Sequence, residues 1–214
     1  MKLLDLTVRS LLDELASESP APGGGSVAAL AGACAAALCE MVCRLTLGNA
    51  RLSDTWPLMG GILSDASRLR ARLQALIDED AEAYSAVVAA RRLPKDTPAE
   101  EAARKLQVQA GIVRSAQVPL ETLEAIAALA DLVERAAQKG NPSCITDAGS
   151  AAQMIRAGAV AAAWNVRVNL PSVRDVKLKE ELGSDTARIL ERIIKTVERV
   201  NAMVEQRLNE RSRT

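Results

Sequence analysis

One stretch restricts the fold of this chain more than any other: an alanine-rich run without charge that follows a turn of prolines and glycines. Residues Ser19–Val42 read SPAPGGGSVAALAGACAAALCEMV, and the first charged residue among them is Glu40. Proline drives its preceding residue towards extended backbone, so Ser19–Pro22 is predicted to be a loop. Ser26 is a suitable N-cap for a helix over residues 27–47. A helix that is apolar on all sides is buried, and we therefore expect this one at the centre of the fold.

Gly23, Gly24 and Gly25 lie directly before this helix. Glycine permits a positive φ and leaves the main chain open to close approach by another group. The free N–H groups at a helix N-terminus favour anions or carbonyl oxygens, so this turn and Ser26 form a candidate substrate contact. The alternative is a simple loop before a well-packed helix. It is not a phosphate-binding P-loop, because no Gly-Lys-Ser/Thr sequence follows.

The composition excludes several kinds of chemistry. The 214 residues include no histidine, which removes Ser-His-Asp triads, Cys-His pairs and histidine-based zinc sites. Lys+Arg and Asp+Glu both number 27, so the net charge gives no reason to expect nucleic acid or a membrane surface as a partner. Three of the four cysteines fall on the apolar helix, where a free thiol acts as a small hydrophobe, which suits a reducing cytoplasm. The uncharged segment Gly23–Cys39 is short, rich in alanine and glycine and preceded by a Gly/Pro loop, so we do not expect it to span a membrane, and no signal peptide is expected.

Apolar residues at helical spacing predict further helices over about residues 4–16, 58–92, 98–138, 147–168 and 175–208. Thr97 to Glu100 has the form of a capping box with proline at the first helical position, and Pro119 is expected to kink the helix that follows. Aromatic residues make up 1% of the chain, and no strand pattern is visible. We therefore predict one all-α domain over residues 1–214, a multihelical bundle of six or seven helices. Its long amphipathic helices expose wide apolar stripes, which favours a helix-packed homodimer.

Asp80 is the strongest candidate for acid–base chemistry. It falls on the apolar stripe of the predicted helix 58–92, at helical spacing from Leu76 and Tyr84, whereas Asp78 falls off that stripe. Burial raises the pKa of a carboxyl group, and a raised pKa suits a general acid or base near neutral pH. The alternative is a buried aspartate that is satisfied by arginine, lysine or helix N–H groups.

The other polar candidates have simpler explanations. Tyr84, the only tyrosine, is a core residue, a hydrogen-bonding partner or a stacking surface. Asp147 at a predicted helix start is typical of a cap, and Asn141 is typical of a turn. Cys144 has no histidine to activate it as a nucleophile.

Four segments resemble, in the same order, the formiminotransferase-cyclodeaminase C-terminal family. They are SPAPGGGSVAALAGA, LIDEDAEAYSAVVAARRLPK, GNPSCITDAGSAA and NVRVNLPSV, which together reach over nearly the whole chain. The resemblance implies an all-helical dimer that acts on a reduced folate without a metal ion or bound cofactor. It implies a catalytic aspartate in the second segment, which we assign to Asp80 with Asp78 as the fallback. It implies substrate contacts from the glycine turn, the tyrosine and a second polar loop: Gly23, Gly24, Gly25, Ser26, Tyr84, Asn141, Thr146 and Asp147.

Members of this family are methenyltetrahydrofolate cyclohydrolases and formiminotetrahydrofolate cyclodeaminases. No fused formiminotransferase domain is visible in the sequence, so we expect the cyclohydrolase, which hydrolyses 5,10-methenyltetrahydrofolate to 10-formyltetrahydrofolate. The alternative enzyme is the cyclodeaminase, which releases ammonia to give 5,10-methenyltetrahydrofolate. A third interpretation is an inactive helical dimer that only binds folate or a partner protein, and the retention of Asp80 and of both loops argues against it.

Overall fold

Residues 2–212 are described by the structure, a computed structural model. In this range six α-helices follow one another: α1 Val8–Leu15, α2 Gly24–Leu47, α3 Trp56–Arg91, α4 Pro98–Lys139, α5 Ile145–Asn169 and α6 Val176–Arg211. Short 3-10 turns lie at Leu3–Asp5, Ala50–Thr55, Pro142–Cys144 and Leu170–Ser172, and the described residues form no strand. The prediction of an all-α bundle with six or seven helices is confirmed.

α2 is a core helix that packs against α3, α4 and α5, whereas α4 contacts four helices, α2, α3, α5 and α6. The expectation of α2 as the single centre of the fold is therefore only partly met. The small side chains of α2 make its packing possible, since Ala29, Ala35 and Ala36 are fully buried. Glycine on a neighbouring helix completes the fit: a side chain on Gly158 of α5 would meet the carbonyl oxygen of Ala28 at 2.8 Å. The alanine-rich composition therefore lets the helices approach closely.

One stripe of α2 is not covered, which corrects the expectation of a helix buried on all sides. Val27, Cys34, Met41 and Leu45 are exposed along it. Among the described residues, α2 is also the one helix that is long and apolar enough to cross a membrane, although 61% of its most apolar window is buried inside the protein. Core helices of globular domains meet the same criteria of length and composition, and the contacts of α2 with three neighbours are those of a core helix.

Two helices begin where the sequence predicts them. The Thr97 hydroxyl group accepts from the Glu100 N–H at 3.2 Å, and the Glu100 carboxylate accepts from the Thr97 N–H at 2.9 Å, so the capping box is confirmed. Asp175 caps α6 by accepting from the Leu178 N–H at 3.0 Å. α4 continues as a helix through Pro119. Local capping signals therefore determine the starts of α4 and α6.

Three helix starts differ from the prediction. α2 begins at Gly24 without a side-chain cap, so Ser26 lies inside the first turn instead of capping it. α5 begins at Ile145 behind a 3-10 turn, which places Asp147 in the first turn and not at the cap. The helix predicted over residues 4–16 is a 3-10 turn followed by the short α1, none of whose residues is buried. The earlier start of α2 leaves the Ser26 side chain free for another role.

α2 and α5 are antiparallel neighbours. A side chain built on Gly24, at the start of α2, would lie 3.2 Å from Nδ2 of Asn165, near the end of α5. At the other end of the pair, the Asn141 N–H, just before α5, donates to Thr46 Oγ1 at 2.9 Å. The two polar loops that the sequence singles out therefore lie at opposite ends of the bundle.

Candidate active site

The start of α2 lies beside a cavity of about 240 Å³. The turn before α2 and the helices α3, α4 and α5 form its walls, and Gly23, Gly24 and Gly25 are among the lining residues. The polar side chains of the cavity are those of Asp80, Tyr84 and Arg91 from α3, Ser115 from α4, Asn165 and Asn169 from α5, and Ser172 from the turn that follows α5. The structure thus brings the glycine turn and Asp80 together in one cavity.

Gly25 is the residue against which the Asp80 carboxylate packs. A Cβ atom built on Gly25 would lie 2.0 Å from Oδ1 and 2.5 Å from Cγ of Asp80, distances at which no side chain fits. No glycine in the described residues has a positive φ. Glycine is therefore required at this position by the close approach of a side chain and not by the backbone conformation.

Burial raises the pKa of the Asp80 carboxyl group above its ordinary value. The Ser26 hydroxyl group donates to Asp80 Oδ2 at 3.1 Å, and the Ser26 backbone N–H also lowers this pKa, but desolvation is the larger effect. No arginine or lysine within residues 2–212 contributes to the shift, so the alternative of an aspartate paired with a cation is wrong. The other part of that alternative, a bond from a helix N–H group, is confirmed by the Ser26 backbone N–H in the first turn of α2. A carboxyl group in this state can take up and return a proton closer to neutral pH than an exposed aspartate.

Glu79, the next residue before Asp80, is used in a charged network that joins α3 to α4. It accepts from Arg72 and, at 2.6 Å, from Arg114, and both arginines also pair with Glu121. The hydrogen bond from Arg72 is the main reason why the pKa of Glu79 is lowered. This carboxylate therefore stays ionised and serves the packing of the two helices.

Asp78, the fallback for the catalytic acid, lies outside the cavity. Its carboxylate accepts the Leu3 N–H at 2.6 Å and lines a separate cleft between α3 and the N-terminal segment. Asp78 therefore holds the N-terminal segment against α3. In the part of the chain that the structure describes, Asp80 is the only carboxylate that lines the cavity.

Tyr84 lies one turn after Asp80 and lines the same cavity. Its side chain is 43% exposed, so the interpretation as a core residue is wrong. The hydroxyl group has no hydrogen-bond partner within residues 2–212. Both the ring and the hydroxyl group are therefore available to a ligand, and the role of Tyr84 in substrate binding stays a prediction.

The second polar loop is not part of this cavity within one chain. Asn141 is bonded to Thr46, which lies twenty residues along α2 from Ser26, a distance of roughly 30 Å at the rise of an α-helix. Thr146 and Asp147 follow this loop and lie in the first turn of α5. Oδ1 of Asn141 accepts from the Ser143 N–H at 3.0 Å, as a turn residue does. Substrate contacts from Asn141, Thr146 and Asp147 therefore stay predictions that the geometry of a single chain does not support.

The sequence analysis assigned no site residue to the α4 and α5 side of the cavity, although the fourth resembling segment, NVRVNLPSV, begins at Asn165. Asn165 and Asn169 stand one turn apart near the end of α5, so two polar residues at helical spacing were an available signal. Nδ2 of Asn169 donates to the Ser115 carbonyl oxygen at 3.0 Å and thereby joins α5 to α4. Ser115 and Arg91 gave no signal, since a serine within a helix and an arginine near its end are common residues.

No metal site is visible in the described residues. Within residues 2–212, no group of three or more His, Cys, Asp or Glu side chains is placed to hold an ion. Cys39, Cys43 and Cys144 are buried, and Cys34 is exposed. The expectation that the protein works without metal or cofactor stays a prediction.

Comparisons with known proteins agree with these observations. The family model described as formiminotransferase-cyclodeaminase matches residues 7–188. A methenyltetrahydrofolate cyclohydrolase of Methylorubrum extorquens is 38% identical over 198 residues, which cover 89% of this chain and 95% of the relative. A formimidoyltransferase-cyclodeaminase of Rattus norvegicus is 35% identical over 189 residues, and the match covers 88% of this chain but 35% of the length of that relative. The crystal structure of a formiminotetrahydrofolate cyclodeaminase of Thermotoga maritima has a TM-score of 0.86 and 26% identity, over 96% of this chain and 98% of that one.

Proposed function

Because this chain belongs to the formiminotransferase-cyclodeaminase family, we propose that it is an enzyme, a methenyltetrahydrofolate cyclohydrolase. The relative that carries this name matches over nearly the full length of both chains. The observation that carries the proposal is the Asp80 carboxyl group, which lies in a cavity against the bare backbone of Gly25 and has a raised pKa. We place the reaction at this group.

Asp80 acts as the proton carrier of the proposed reaction. The substrate is a cation whose charge is shared over an N–C–N amidinium group, and the Asp80 carboxylate stabilises that charge. Water attacks the one-carbon centre and gives a proton to Asp80, and this addition converts the one-carbon centre into a tetrahedral intermediate. Asp80 returns this proton to ring nitrogen N5 as the C–N5 bond breaks, and the formyl group stays on N10 while the second water proton leaves to solvent. Water and one proton carrier are enough, so no metal or cofactor enters the proposal.

The cavity has room for the reacting end of the substrate only. Sites that enclose a drug-sized ligand have volumes of roughly 300–1,000 Å³, whereas this cavity measures about 240 Å³. We therefore place the fused ring of the folate inside and the glutamate end outside. Arg91 lines the cavity, is exposed and has no ion pair within residues 2–212, so its guanidinium group is available to a glutamate carboxylate.

A formiminotetrahydrofolate cyclodeaminase is the second candidate, and the similarity to the Thermotoga maritima structure favours it. That reaction passes through a matching tetrahedral intermediate with an amino group in place of the hydroxyl group. There the protonated form of Asp80 would give its proton to the departing ammonia. The same cavity could serve either reaction, so the substrate is decided by assay.

We expect the purified protein to accelerate the loss of methenyltetrahydrofolate absorbance well above the spontaneous rate and to release no ammonia from formiminotetrahydrofolate. The first reaction is followed by absorbance and the second by a coupled ammonia assay, with heat-denatured protein as the control for both. Ammonia release without cyclohydrolase activity would contradict the first choice and favour the cyclodeaminase. Turnover of neither substrate would favour an inactive folate-binding or partner-binding protein.

The proposed enzyme is a homodimer that pairs through one apolar surface, the α2–α5 face. This face consists of exposed residues on two adjacent helices: Val27, Cys34, Met41 and Leu45 of α2, and Met154, Trp164 and Val168 of α5. None of them is charged, and an uncovered apolar surface of this extent marks an interaction site. α2 and α5 have 24 and 25 residues and are antiparallel, so a second copy of this two-helix layer would complete a four-helix bundle and cover both faces at once.

Light scattering at micromolar concentration should give twice the 22.7 kDa chain mass. Trp164→Glu places a charge in the middle of the α2–α5 face, where Trp164 is 63% exposed, and should convert the dimer to a monomer. Leu106→Glu is the matched control, because Leu106 is 75% exposed on α4, outside this face, and the variant should stay dimeric. A monomeric wild-type protein, or a dimeric Trp164→Glu variant, would contradict pairing through this face.

A further inference from the structure

The Ser115 hydroxyl group is the one buried side-chain polar atom without a hydrogen-bond partner in residues 2–212. Ser115 lies on α4 and lines the same cavity as Asp80. A buried hydroxyl group without a partner costs free energy, and native structures keep few of them. The proposed reaction gives Ser115 no task, so this unpaired group needs a separate explanation.

Ser115 does not serve the helix in the way that buried hydroxyl groups elsewhere in α4 do. Thr122, in the same helix, donates to the carbonyl oxygen of Val118, one turn before it, at 3.1 Å. The corresponding acceptor for Ser115 is the carbonyl oxygen of Gly111, and Ser115 makes no such bond. The hydroxyl group therefore stays unpaired although a backbone acceptor lies within its own helix.

Asn165 and Asn169 stand beside Ser115 on α5 and add two acceptors. Nδ2 of Asn169 donates to the carbonyl oxygens of Ser115, at 3.0 Å, and of Asn165, at 2.8 Å, which uses both of its hydrogens. Nδ2 of Asn165 donates to the carbonyl oxygen of Ala161 at 2.9 Å. Nδ2 of both residues bonds to the backbone, once from Asn165 and twice from Asn169, and neither Oδ1 atom has a partner among the described residues.

We propose that Ser115, Asn165 and Asn169 form a hydrogen-bonding wall that recognises the N–H edge of the fused ring of the substrate. The inference rests on the proposed function, because the reduced pteridine ring carries several N–H donors, on ring nitrogens and on its exocyclic amino group. The amide oxygens accept from such donors, and the Ser115 hydroxyl group reaches the ligand by rotation about χ1.

The wall acts on the reaction by positioning. It lines the same cavity as Asp80, and that cavity of about 240 Å³ holds little more than one ring system. A ring that is held by its N–H edge at the wall therefore has its one-carbon centre directed to the Asp80 carboxyl group. A ligand without the fused ring has no ring N–H donors for the wall to bind.

Ser115→Ala separates this role from a purely structural one, because it changes stability and affinity in opposite directions. Removal of an unpaired buried hydroxyl group should raise the melting temperature of the free protein. The same substitution should weaken tetrahydrofolate binding roughly five- to tenfold, the usual effect of one lost hydrogen bond. Calorimetry measures the affinity for tetrahydrofolate and for p-aminobenzoylglutamate, which lacks the ring and should bind with unchanged affinity. Ser64→Ala, at an exposed serine of α3 without a hydrogen bond, is the matched control and should change none of these values.

A higher melting temperature together with selective loss of tetrahydrofolate affinity supports the wall. Unchanged tetrahydrofolate affinity in Ser115→Ala overturns it while the proposed function stands. An equal loss of affinity for both ligands also overturns it, because general damage to the site would then be the cause. A wild-type protein that binds no tetrahydrofolate overturns the proposed function, and the wall with it.

Discussion

Replacement of Asp80 by asparagine is expected to reduce turnover of 5,10-methenyltetrahydrofolate roughly 10²–10⁴-fold, the usual contribution of one acid–base group. Asparagine keeps the size and shape of the side chain and can still accept the hydrogen bond that the Ser26 hydroxyl group donates at 3.1 Å. It cannot take up a proton from the attacking water or return it to N5. The measurement is kcat from the loss of methenyl absorbance, with the spontaneous rate in the same buffer subtracted.

Asp78→Asn is the control for this loss. Asp78 lies two residues away on the same helix but outside the cavity, where it accepts the Leu3 N–H. Its replacement should leave kcat close to that of the wild-type protein. An inactive Asp78→Asn variant together with an active Asp80→Asn variant would show that Asp78, not Asp80, is the catalytic acid and base. Full activity in both variants would show that this group lies elsewhere in the protein.

Asp80→Asn should also change how stability depends on pH. Burial raises the pKa of Asp80 in the folded protein, so the folded state holds this proton more tightly than the unfolded state does. The contribution of this proton to the free energy of unfolding is fully present below the ordinary aspartate pKa of about 3.9. It is lost as the pH rises through the raised pKa of the folded state. The asparagine variant lacks this group, so its melting temperature relative to wild type should increase from acid to neutral pH. A constant difference over that range would contradict the burial of the carboxyl group.

Gly25→Ala is expected to have the second large effect, a loss of turnover on the order of 10²-fold, because it displaces the catalytic carboxylate. The added Cβ atom would lie 2.0 Å from Oδ1 and 2.7 Å from Oδ2 of Asp80. Aspartate is too short to bend away while its carboxylate stays in place. Either Asp80 leaves Ser26 or the start of α2 moves, and both disturb the alignment of the proton carrier with the substrate.

Gly60→Ala is the matched control for Gly25→Ala. Gly60 also lies in a helix, but a Cβ atom there meets nothing within 4 Å, so alanine should stabilise the protein by up to about 1 kcal/mol and leave turnover unchanged. Combining Gly25→Ala with Asp80→Asn should reduce turnover little further than Asp80→Asn alone, because both changes act on one contact. Wild-type activity in Gly25→Ala, or losses that multiply in the double variant, would show that this contact does not support catalysis.

The features that depend on local chain properties were predictable from the sequence. Helical periodicity is set by neighbouring residues, and it is enough to distinguish Asp80, on the apolar stripe of its helix, from Asp78, off that stripe. The capping box at Thr97 is local in the same sense. The glycine turn was identified at the right position but for an incomplete reason, since close approach by Asp80 and not a positive φ requires Gly25.

The features that depend on how helices cross were not predictable. Ser115 and Asn169 are 54 residues apart in the chain and meet only because α4 and α5 pack side by side. The loop at Asn141 was expected to contact the substrate together with the glycine turn, yet the antiparallel pairing of α2 and α5 places it at the far end of the bundle. The alanine-rich helix looked buried on all sides, whereas Val27 and Met41 lie on an uncovered stripe, because none of the described helices covers it.

The most direct test of the central claim, that Asp80 is a partly buried proton carrier in this cavity, is the titration of its carboxyl carbon by NMR. The protein is labelled with carbon-13 aspartate, and the Asp80 resonance is assigned by its absence in Asp80→Asn. We predict that this resonance titrates above the ordinary aspartate pKa of about 3.9, because burial in the cavity outweighs the hydrogen bonds from Ser26. A resonance that titrates at or below the ordinary value would contradict the assignment of Asp80 as the acid and base of this enzyme.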